Sequence, residues 1–195
     1  MEAFKDNKKF QDTLKTAKAL FWKYGIKRVS IEEICTETPV SKMTFYKFFE
    51  NKNHLAEIIL KGMLNEGYLK YRNIMDKPIP FPEKIKKTII LKNEITTGIS
   101  DEFIRDAYQD NNSGLLAIMN EYKDRLYKEV LADMTLAQEQ GEIRSDIKPE
   151  FIMYLLDDIS YKVMDEKLTA FYSSKQELTM ELTKYFFYGI MNSEK

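Results

Sequence analysis

The chain has 195 residues, of which 44% are hydrophobic and 31% are charged, with a net charge of −1 and one cysteine, Cys35. This composition excludes a disordered chain and an internal disulfide, and no apolar run approaches the roughly 18 residues that span a bilayer. We therefore expect a folded, cytoplasmic protein without a membrane partner, and the polar start Met1–Phe10 predicts no signal peptide.

Helix-breaking residues are few, with seven glycines and five prolines. Because Lys, Glu, Leu, Met and Ile are abundant, the composition favours an all-α fold, and the pattern gives about nine helices. The charge is uneven: residues 1–52 carry eleven basic and seven acidic side chains, whereas residues 53–195 carry nineteen and twenty-four. A basic front attached to an acidic body is a layout that suits polyanion binding at the front.

The first three predicted helices are separated by tight turns. An apolar stripe over 10–24 has helical spacing and predicts the first helix, which Gly25 ends. Ser30, followed three residues later by Glu33, is a capping box that opens a short second helix. A third short helix is predicted over 41–49, with a serine as its N-cap.

The rest of the chain predicts longer helices. They lie at about 52–75, 82–97, 115–140, 149–167 and 174–191, with a further helix opening at Ser100 and Asp101. Three prolines within Lys77–Lys84 mark the main boundary inside this part.

The third helix presents two different faces. At 100° per residue Phe45, Phe48 and Phe49 fall on one side, whereas Met43 and Lys47 lie opposite. The outer face is completed by Lys42, Thr44 and Tyr46. Cationic, hydroxyl and apolar groups together suit phosphates and base edges, although a solvated helix face explains this pattern equally well when it is taken alone.

Two short helices joined by a tight turn form a helix-turn-helix, whose second helix enters the DNA major groove. Residues 10–55, about a quarter of the chain, resemble the DNA-binding domain of the TetR family of bacterial transcriptional regulators. That family's pattern is A-x-x-L-F, a Gly, a Ser or Thr opening the second helix, and V-S-x-x-T-[LIF]-Y-x-x-F-x-x-K-x-x-L. The matching residues are Ala17, Leu20, Phe21, Gly25, Ser30, Ile34, Val40, Ser41, Thr44, Phe45, Tyr46, Phe49, Lys52 and Leu55.

The resemblance implies a helix-turn-helix DNA-binding domain over 1–51 and a helical ligand-binding and dimerisation domain over 52–195. It implies a ligand-responsive transcriptional regulator rather than an enzyme, without a cofactor or a metal site. The expected function is that of a repressor that binds a palindromic operator in double-stranded DNA as a homodimer and is released by a small-molecule effector.

The resemblance also implies which residues touch DNA. The phosphate contacts would be Ser41, Thr44, Tyr46 and Lys52, and the residues nearest the bases would be Lys42, Met43 and Lys47, with Ser30 on the flanking backbone. Two positions depart from the family pattern, because Pro39 and Met43 stand where glycine is usual. Proline cannot adopt a positive φ, so a different local conformation of the turn is expected.

The body is expected to hold the effector. Candidate lining residues are aromatic or apolar side chains beyond the needs of a core: Tyr68, Tyr71, Met75, Phe103, Tyr108, Met119, Tyr122 and Tyr127. For each of them an ordinary core or surface position is the more common outcome.

The last two helices carry apolar residues at helical spacing. These either close the core of the single chain or pair with a second copy, and the resemblance favours the dimer. The candidate interface residues are Ile152, Leu155, Leu156, Ile159, Val163, Leu178, Leu182, Tyr185, Phe186 and Gly189.

Two other classes of protein are compatible with an all-α chain: a helical enzyme and a helical interaction module without DNA binding. The sequence has one histidine, His54, and no glycine-rich phosphate loop or paired-cysteine motif, so the usual signals of catalysis are lacking. Cys35 lies at a packing position of a short helix, where an inert thiol is the more common outcome.

Overall fold

The computed structural model of the chain describes residues 4, 6–109, 114–163 and 165–191. Within these ranges it forms ten helices and no β-strand, which confirms the all-α prediction. The helices are α1 (Lys8–Tyr24), α2 (Ile31–Thr36), α3 (Lys42–Phe48), α4 (Lys52–Met75), α5 (Phe81–Thr96), α6 (Asp101–Gln109), α7 (Leu115–Glu139), α8 (Pro149–Lys162), α9 (Glu166–Thr169) and α10 (Lys175–Ile190). No helix in the described part of the chain is both long enough and apolar enough to cross a membrane.

The described part of the chain has one helix more than the nine predicted, because two helices, α8 and α9, stand where the sequence predicted one helix over 149–167. That prediction is wrong. Helix α8 ends at Lys162, and α9 starts separately with Asp165 as its N-cap. The Asp165 carboxylate accepts hydrogen bonds from the backbone N–H groups of Lys167 and Leu168, at 2.9 and 3.2 Å. An aspartate that caps a new helix start competes with continuation of the preceding helix.

The caps of the first three helices are those that the sequence predicts. Gly25 ends α1 with φ +81° and donates its N–H to Phe21 O. The capping box of α2 is complete, because Ser30 and Glu33 each accept a hydrogen bond from the other's N–H. The Ser41 hydroxyl accepts the N–H of Thr44 at the start of α3. These bonds satisfy backbone donors that a helix cannot satisfy internally.

The chain packs as two compact units. The first is Met1–Glu66 with Gly98–Lys123, which contains α1 to α3 and α6. Its core is aromatic around Phe10, Phe45 and Phe49, with ring centroids 5.2 Å apart for both Phe10–Phe49 and Phe45–Phe49. Buried aromatic side chains fix the faces that the short helices α2 and α3 turn inward, because helices of six or seven residues have little stability of their own.

The second unit is Gly67–Thr97 with Asp124–Lys195, which contains α5, α8, α9 and α10. Its core includes Ile85, Met134, Ile143 and Ile152, all nearly inaccessible to solvent. The division of function predicted at residues 51 and 52 falls at the start of α4, whereas the first packing unit continues along α4 to Glu66. Packing and function divide a chain by different criteria, so the functional boundary stays a prediction.

Candidate nucleic-acid interface

The turn between α2 and α3 accommodates Pro39 without a left-handed residue. All peptide bonds in the described part of the chain are trans, and positive φ values there are confined to glycine. Pro39 is exposed, while its neighbours Thr38 and Val40 are buried. The Thr38 hydroxyl donates to Ile34 O at 2.7 Å and ties the turn to the last turn of α2. The turn therefore runs through ordinary backbone conformations at the position where the family pattern has glycine.

Helix α3 has the two faces that its periodicity predicts. Phe45 and Phe49 are buried, and Phe48 is half-buried against the same aromatic cluster. On the outer side Met43 is 70% exposed and Tyr46 is 56% exposed. Apolar and aromatic groups beside two lysines suit base edges and phosphates, so the outer face is a candidate contact surface.

The lysines of α3 differ in their surroundings. Lys47 is exposed in the last turn, whereas Lys42 forms an ion pair with Glu32 of α2. The hydrogen bond between them lowers the pKa of the Glu32 carboxyl and raises the pKa of the Lys42 ammonium. Sequence reasoning missed Glu32, because it precedes Lys42 by ten positions and nothing local marks the crossing of the two helices.

The hydroxyl groups in the predicted set serve first as helix caps. Ser30 Oγ accepts the Glu33 N–H at 3.1 Å, and Ser41 Oγ accepts the Thr44 N–H at 3.2 Å. Ser41 and Thr44 also share a hydrogen bond between their hydroxyls, at 3.1 Å. Ser30 and Ser41 are exposed and Thr44 is half-exposed, so a cap and a phosphate contact can coexist at these positions.

Lys52 points back into its own domain. Its ammonium donates to Val29 O at 2.7 Å and to Lys27 O at 3.0 Å, in the segment between α1 and α2. Burial lowers the pKa of Lys52, and the charges of Asp106 and Glu33 act in the opposite direction. The predicted phosphate contact thus competes with two internal acceptors.

The same segment is held from another side by α6. The backbone N–H of Lys27 donates to Asp106 Oδ2 at 2.8 Å, and Asp106 is almost completely buried. A Cβ placed on Gly25 would lie 2.9 Å from that same carboxylate oxygen and 2.9 Å from Glu102 Cβ. Sequence reasoning missed Asp106, which lies 79 positions beyond Lys27 and resembles an ordinary acidic residue of a polar helix.

The residues predicted to line a ligand site are distributed over both units. In the first unit Phe103 is buried and packs on Trp22, with ring centroids 4.8 Å apart, while Met119 and Tyr122 are half-buried. The side chain of Tyr108 lies outside the described part of the structure.

In the second unit the predicted tyrosines are partly engaged with charged neighbours. The Tyr71 hydroxyl donates to Asp133 Oδ2 at 2.6 Å, and the Arg125 guanidinium lies 3.9 Å from the Tyr68 ring centroid. Burial is the main cause that raises the pKa of Tyr71, followed by its hydrogen bond to Asp133. The remaining members are Met75, which is buried, and Tyr127, which is exposed.

The residues predicted to form a dimer interface fall into three groups. Three are buried in the core of the single chain: Ile152, Leu178 and Phe186. Five are half-buried: Leu155, Leu156, Ile159, Val163 and Leu182. Two are exposed: Tyr185, at 83%, and Gly189. The same two helices expose further aromatic side chains that the prediction left out, namely Phe151, Tyr154 and Tyr188.

Comparison with known proteins gives matches for the N-terminal domain and for the fold. Residues 14–59 match the family described as bacterial regulatory proteins, tetR family. A curated relative, the uncharacterized HTH-type transcriptional regulator YhgD of Bacillus subtilis (strain 168), is 26% identical over 137 residues, which is 70% of each chain.

Three solved structures are similar in fold. The fatty acid degradation regulator FadR from Bacillus halodurans has a TM-score of 0.72 at 14% identity, covering 95% of this chain and 97% of that one. A transcriptional regulator from Saccharomonospora viridis in complex with choline has a TM-score of 0.71 at 16% identity, and the match covers 94% of this chain and 97% of that one. The ketosteroid transcriptional regulator KstR2 of Mycobacterium tuberculosis has a TM-score of 0.65 at 15% identity, and the match covers 96% of this chain and 97% of that one.

At identities of 14–16%, these TM-scores show a shared fold, and the match at residues 14–59 covers the helices whose caps, turn and outer face are described above. Residues 14–59 therefore match the tetR family of bacterial regulatory proteins, and the chain as a whole shares its fold with known transcriptional regulators.

Proposed function

We propose that this protein is a repressor that binds a palindromic DNA operator as a homodimer and is released by a small-molecule effector. The observation that carries the proposal is the outer face of α3. Met43, Tyr46 and Lys47 are exposed on a short helix whose opposite side is anchored by Phe45 and Phe49. A rigidly held helix with apolar and cationic groups outward suits the major groove.

The proposed contacts follow from the chemistry of each side chain. Lys47, Lys42 and Met43 face the bases, since an ammonium can reach guanine acceptors and a thioether can contact a thymine methyl group. Ser41, Thr44 and Tyr46 contact phosphates on one side of the helix, and Ser30 contacts the flanking backbone. Phosphate contacts set affinity and register, whereas base contacts set sequence preference.

A homodimer is supported by an aromatic surface on α8 and α10, two helices that pack together in the second unit. The exposed side chains on this surface are Phe151, Tyr154, Tyr185 and Tyr188. Each helix exposes two aromatic side chains three positions apart, which puts them on one face of that helix, and exposed apolar faces indicate a protein–protein contact. A two-fold dimer would require operator half-sites about one helical turn apart, roughly 34–36 Å.

The proposed effector is a small molecule that binds the helical body of the chain. The similar regulator from Saccharomonospora viridis was solved with choline, and the names of the two others refer to fatty acid degradation and to ketosteroids. In this chain Tyr68 and Tyr71 of the second unit are our candidate ligand contacts, each with a charged neighbour. An effector that favours the released state would lower operator affinity by about 1–3 kcal/mol, and DNA would weaken effector binding by the same factor.

The proposal is tested by selecting genomic fragments bound by the wild-type chain and repeating the selection with Lys47→Ala. The wild type should enrich an inverted repeat, and the variant should lose preference at one position of each half-site, by roughly 1–3 kcal/mol of discrimination. Lys87→Ala, at a half-exposed lysine of α5 that pairs with Glu83, is the matched control and should select the wild-type motif. An identical motif with Lys47→Ala would refute the orientation of α3, and no enriched motif would refute the repressor.

A further inference from the structure

We propose that Lys52 and Asp106 are positioning residues for DNA recognition, which grip the segment Gly25–Ser30 (the α1–α2 loop) from two sides and thereby fix the placement of α2 and α3. The proposal rests on the proposed function in one respect, namely that α3 reads DNA. All of its contacts lie within the first packing unit.

Lys52 and Asp106 both bind the backbone of one residue of the loop, Lys27. Its N–H donates to Asp106 Oδ2 at 2.8 Å, and its C=O accepts from Lys52 Nζ at 3.0 Å. The ammonium of Lys52 also reaches Val29 O at 2.7 Å. Each of these hydrogen bonds has a charged partner, and such bonds are shorter and about twice as strong as bonds between neutral groups.

The loop is shaped to receive the carboxylate. Gly25 has φ +81°, and the place that its side chain would occupy is filled by Asp106 Oδ2 and Glu102 Cβ, each at 2.9 Å. A second bond joins the same parts of the chain, because the Ser100 N–H donates to Trp22 O at 2.9 Å. The close approach of α6 to the end of α1 therefore depends on a residue without a side chain.

The position of the α1–α2 loop determines the position of α3 through a short series of contacts. Ile26 and Val29 are buried on either side of Lys27, and the loop ends at Ser30, which caps α2. Helix α2 packs against both α1 and α3. A loop that shifted would carry α2 with it, and α3 would approach the groove at a different angle.

This role differs from a phosphate contact in a measurable way. A lysine that neutralises a phosphate contributes about one unit to the dependence of log affinity on log salt concentration. If a lysine only positions α2, its removal lowers the affinity for DNA by the same factor at every salt concentration. The slope of log affinity against log salt concentration then stays unchanged. The aspartate distinguishes the two roles further, since a carboxylate attracts no phosphate.

The first experiment measures operator affinity against salt for Lys52→Met, Asp106→Ala and the double variant of the full-length chain. Each single change should weaken operator binding about tenfold and leave the salt dependence of the affinity unchanged. The double variant should lose much less affinity than the product of the two single losses. Lys61→Met, at an exposed lysine of the same helix α4, should leave affinity near the wild-type value. Lys52→Arg and Asp106→Asn keep a donor and an acceptor, respectively, and should restore part of the loss.

A slope that falls by about one in Lys52→Met, with Asp106→Ala binding as the wild type does, would overturn the proposal in favour of a phosphate contact. Affinities are compared at a temperature where far-ultraviolet circular dichroism shows every variant to be folded. If Lys52→Met or Asp106→Ala unfolds the chain, the comparison of Lys52→Arg and Asp106→Asn with the wild type still decides the test.

The second experiment needs no DNA. Hydrogen exchange at the Lys27 amide, followed by NMR on the ¹⁵N-labelled chain, should accelerate at least tenfold in Asp106→Ala and also in Lys52→Met. Unchanged exchange in Asp106→Ala would overturn the grip, whatever the DNA results. Accelerated exchange in a protein whose wild type bound no DNA would instead refute the proposed function and leave the grip standing.

Discussion

At the scale of single residues, the ion pair between Glu32 and Lys42 places a carboxylate beside the proposed DNA-contacting face. Both side chains are more than half exposed, so the pair adds little to the stability of the fold. It matters for binding, because a lysine held by a carboxylate must exchange that partner for a phosphate or a base.

We predict that Glu32→Gln strengthens binding to random duplex DNA and steepens its salt dependence by about one, because Lys42 is freed and a negative charge is removed. Fluorescence anisotropy with a labelled non-specific duplex at several salt concentrations provides the measurement. Glu37→Gln, at the exposed end of α2, is the control for the change in net charge alone. Equal gains in both variants would show that the ion pair has no special effect.

The sequence predicted residue contacts where the partners lie within one helical turn. The capping box of Ser30 with Glu33 and the cap at Ser41 are of this kind, since a cap has a fixed spacing. Lys42 with Glu32 and Lys27 with Asp106 lie ten and 79 positions apart. Their partners are set by how helices cross, which no local spacing encodes.

At the scale of elements, the turn between α2 and α3 shows how one fold accepts different turn residues. Most helix boundaries could be predicted from periodicity and caps, and the exception was the break at Asp165. Pro39 was expected to alter the turn, and the structure shows a turn that needs no positive φ. Proline here reduces the conformational entropy of the unfolded chain and adds no strain to the folded turn.

We therefore predict that Pro39→Gly lowers the free energy of unfolding by about 0.4–1 kcal/mol, by giving freedom to the unfolded chain. Urea unfolding followed by circular dichroism, with m-values compared, measures the change. A stability increase in the glycine variant would mean that the turn is strained at this position and that our account of it is incorrect.

At the scale of the whole molecule, helical periodicity found apolar stripes but not the partner that covers each of them. On α8 and α10 some apolar side chains, such as Ile152 and Phe186, face the chain's own core. Others, such as Tyr154 and Tyr185, face outward. Both kinds recur at similar spacing, so the sequence alone does not separate Phe186, which packs in the core of the single chain, from the side chains that stay exposed.

We predict that a double change, Tyr185→Glu with Tyr188→Glu, converts a homodimer into folded monomers, because two charges would be buried in the proposed interface. Sedimentation velocity at micromolar concentration measures the assembly state. Phe171→Glu, at a residue that is 80% exposed outside these two helices, should leave the dimer intact. A wild type that sediments as a monomer would exclude the dimer and with it the palindromic operator.

Trp22 is the one tryptophan of the chain, and it lies where α1 meets α6. Its ring packs on Phe103, and the ammonium of Lys18 lies 5.1 Å from its centroid. All tryptophan emission from this protein therefore arises at the contact between the DNA-binding helices and α6. Stopped-flow fluorescence of the unlabelled wild type can time any movement of that contact, with no dye attached and no residue replaced.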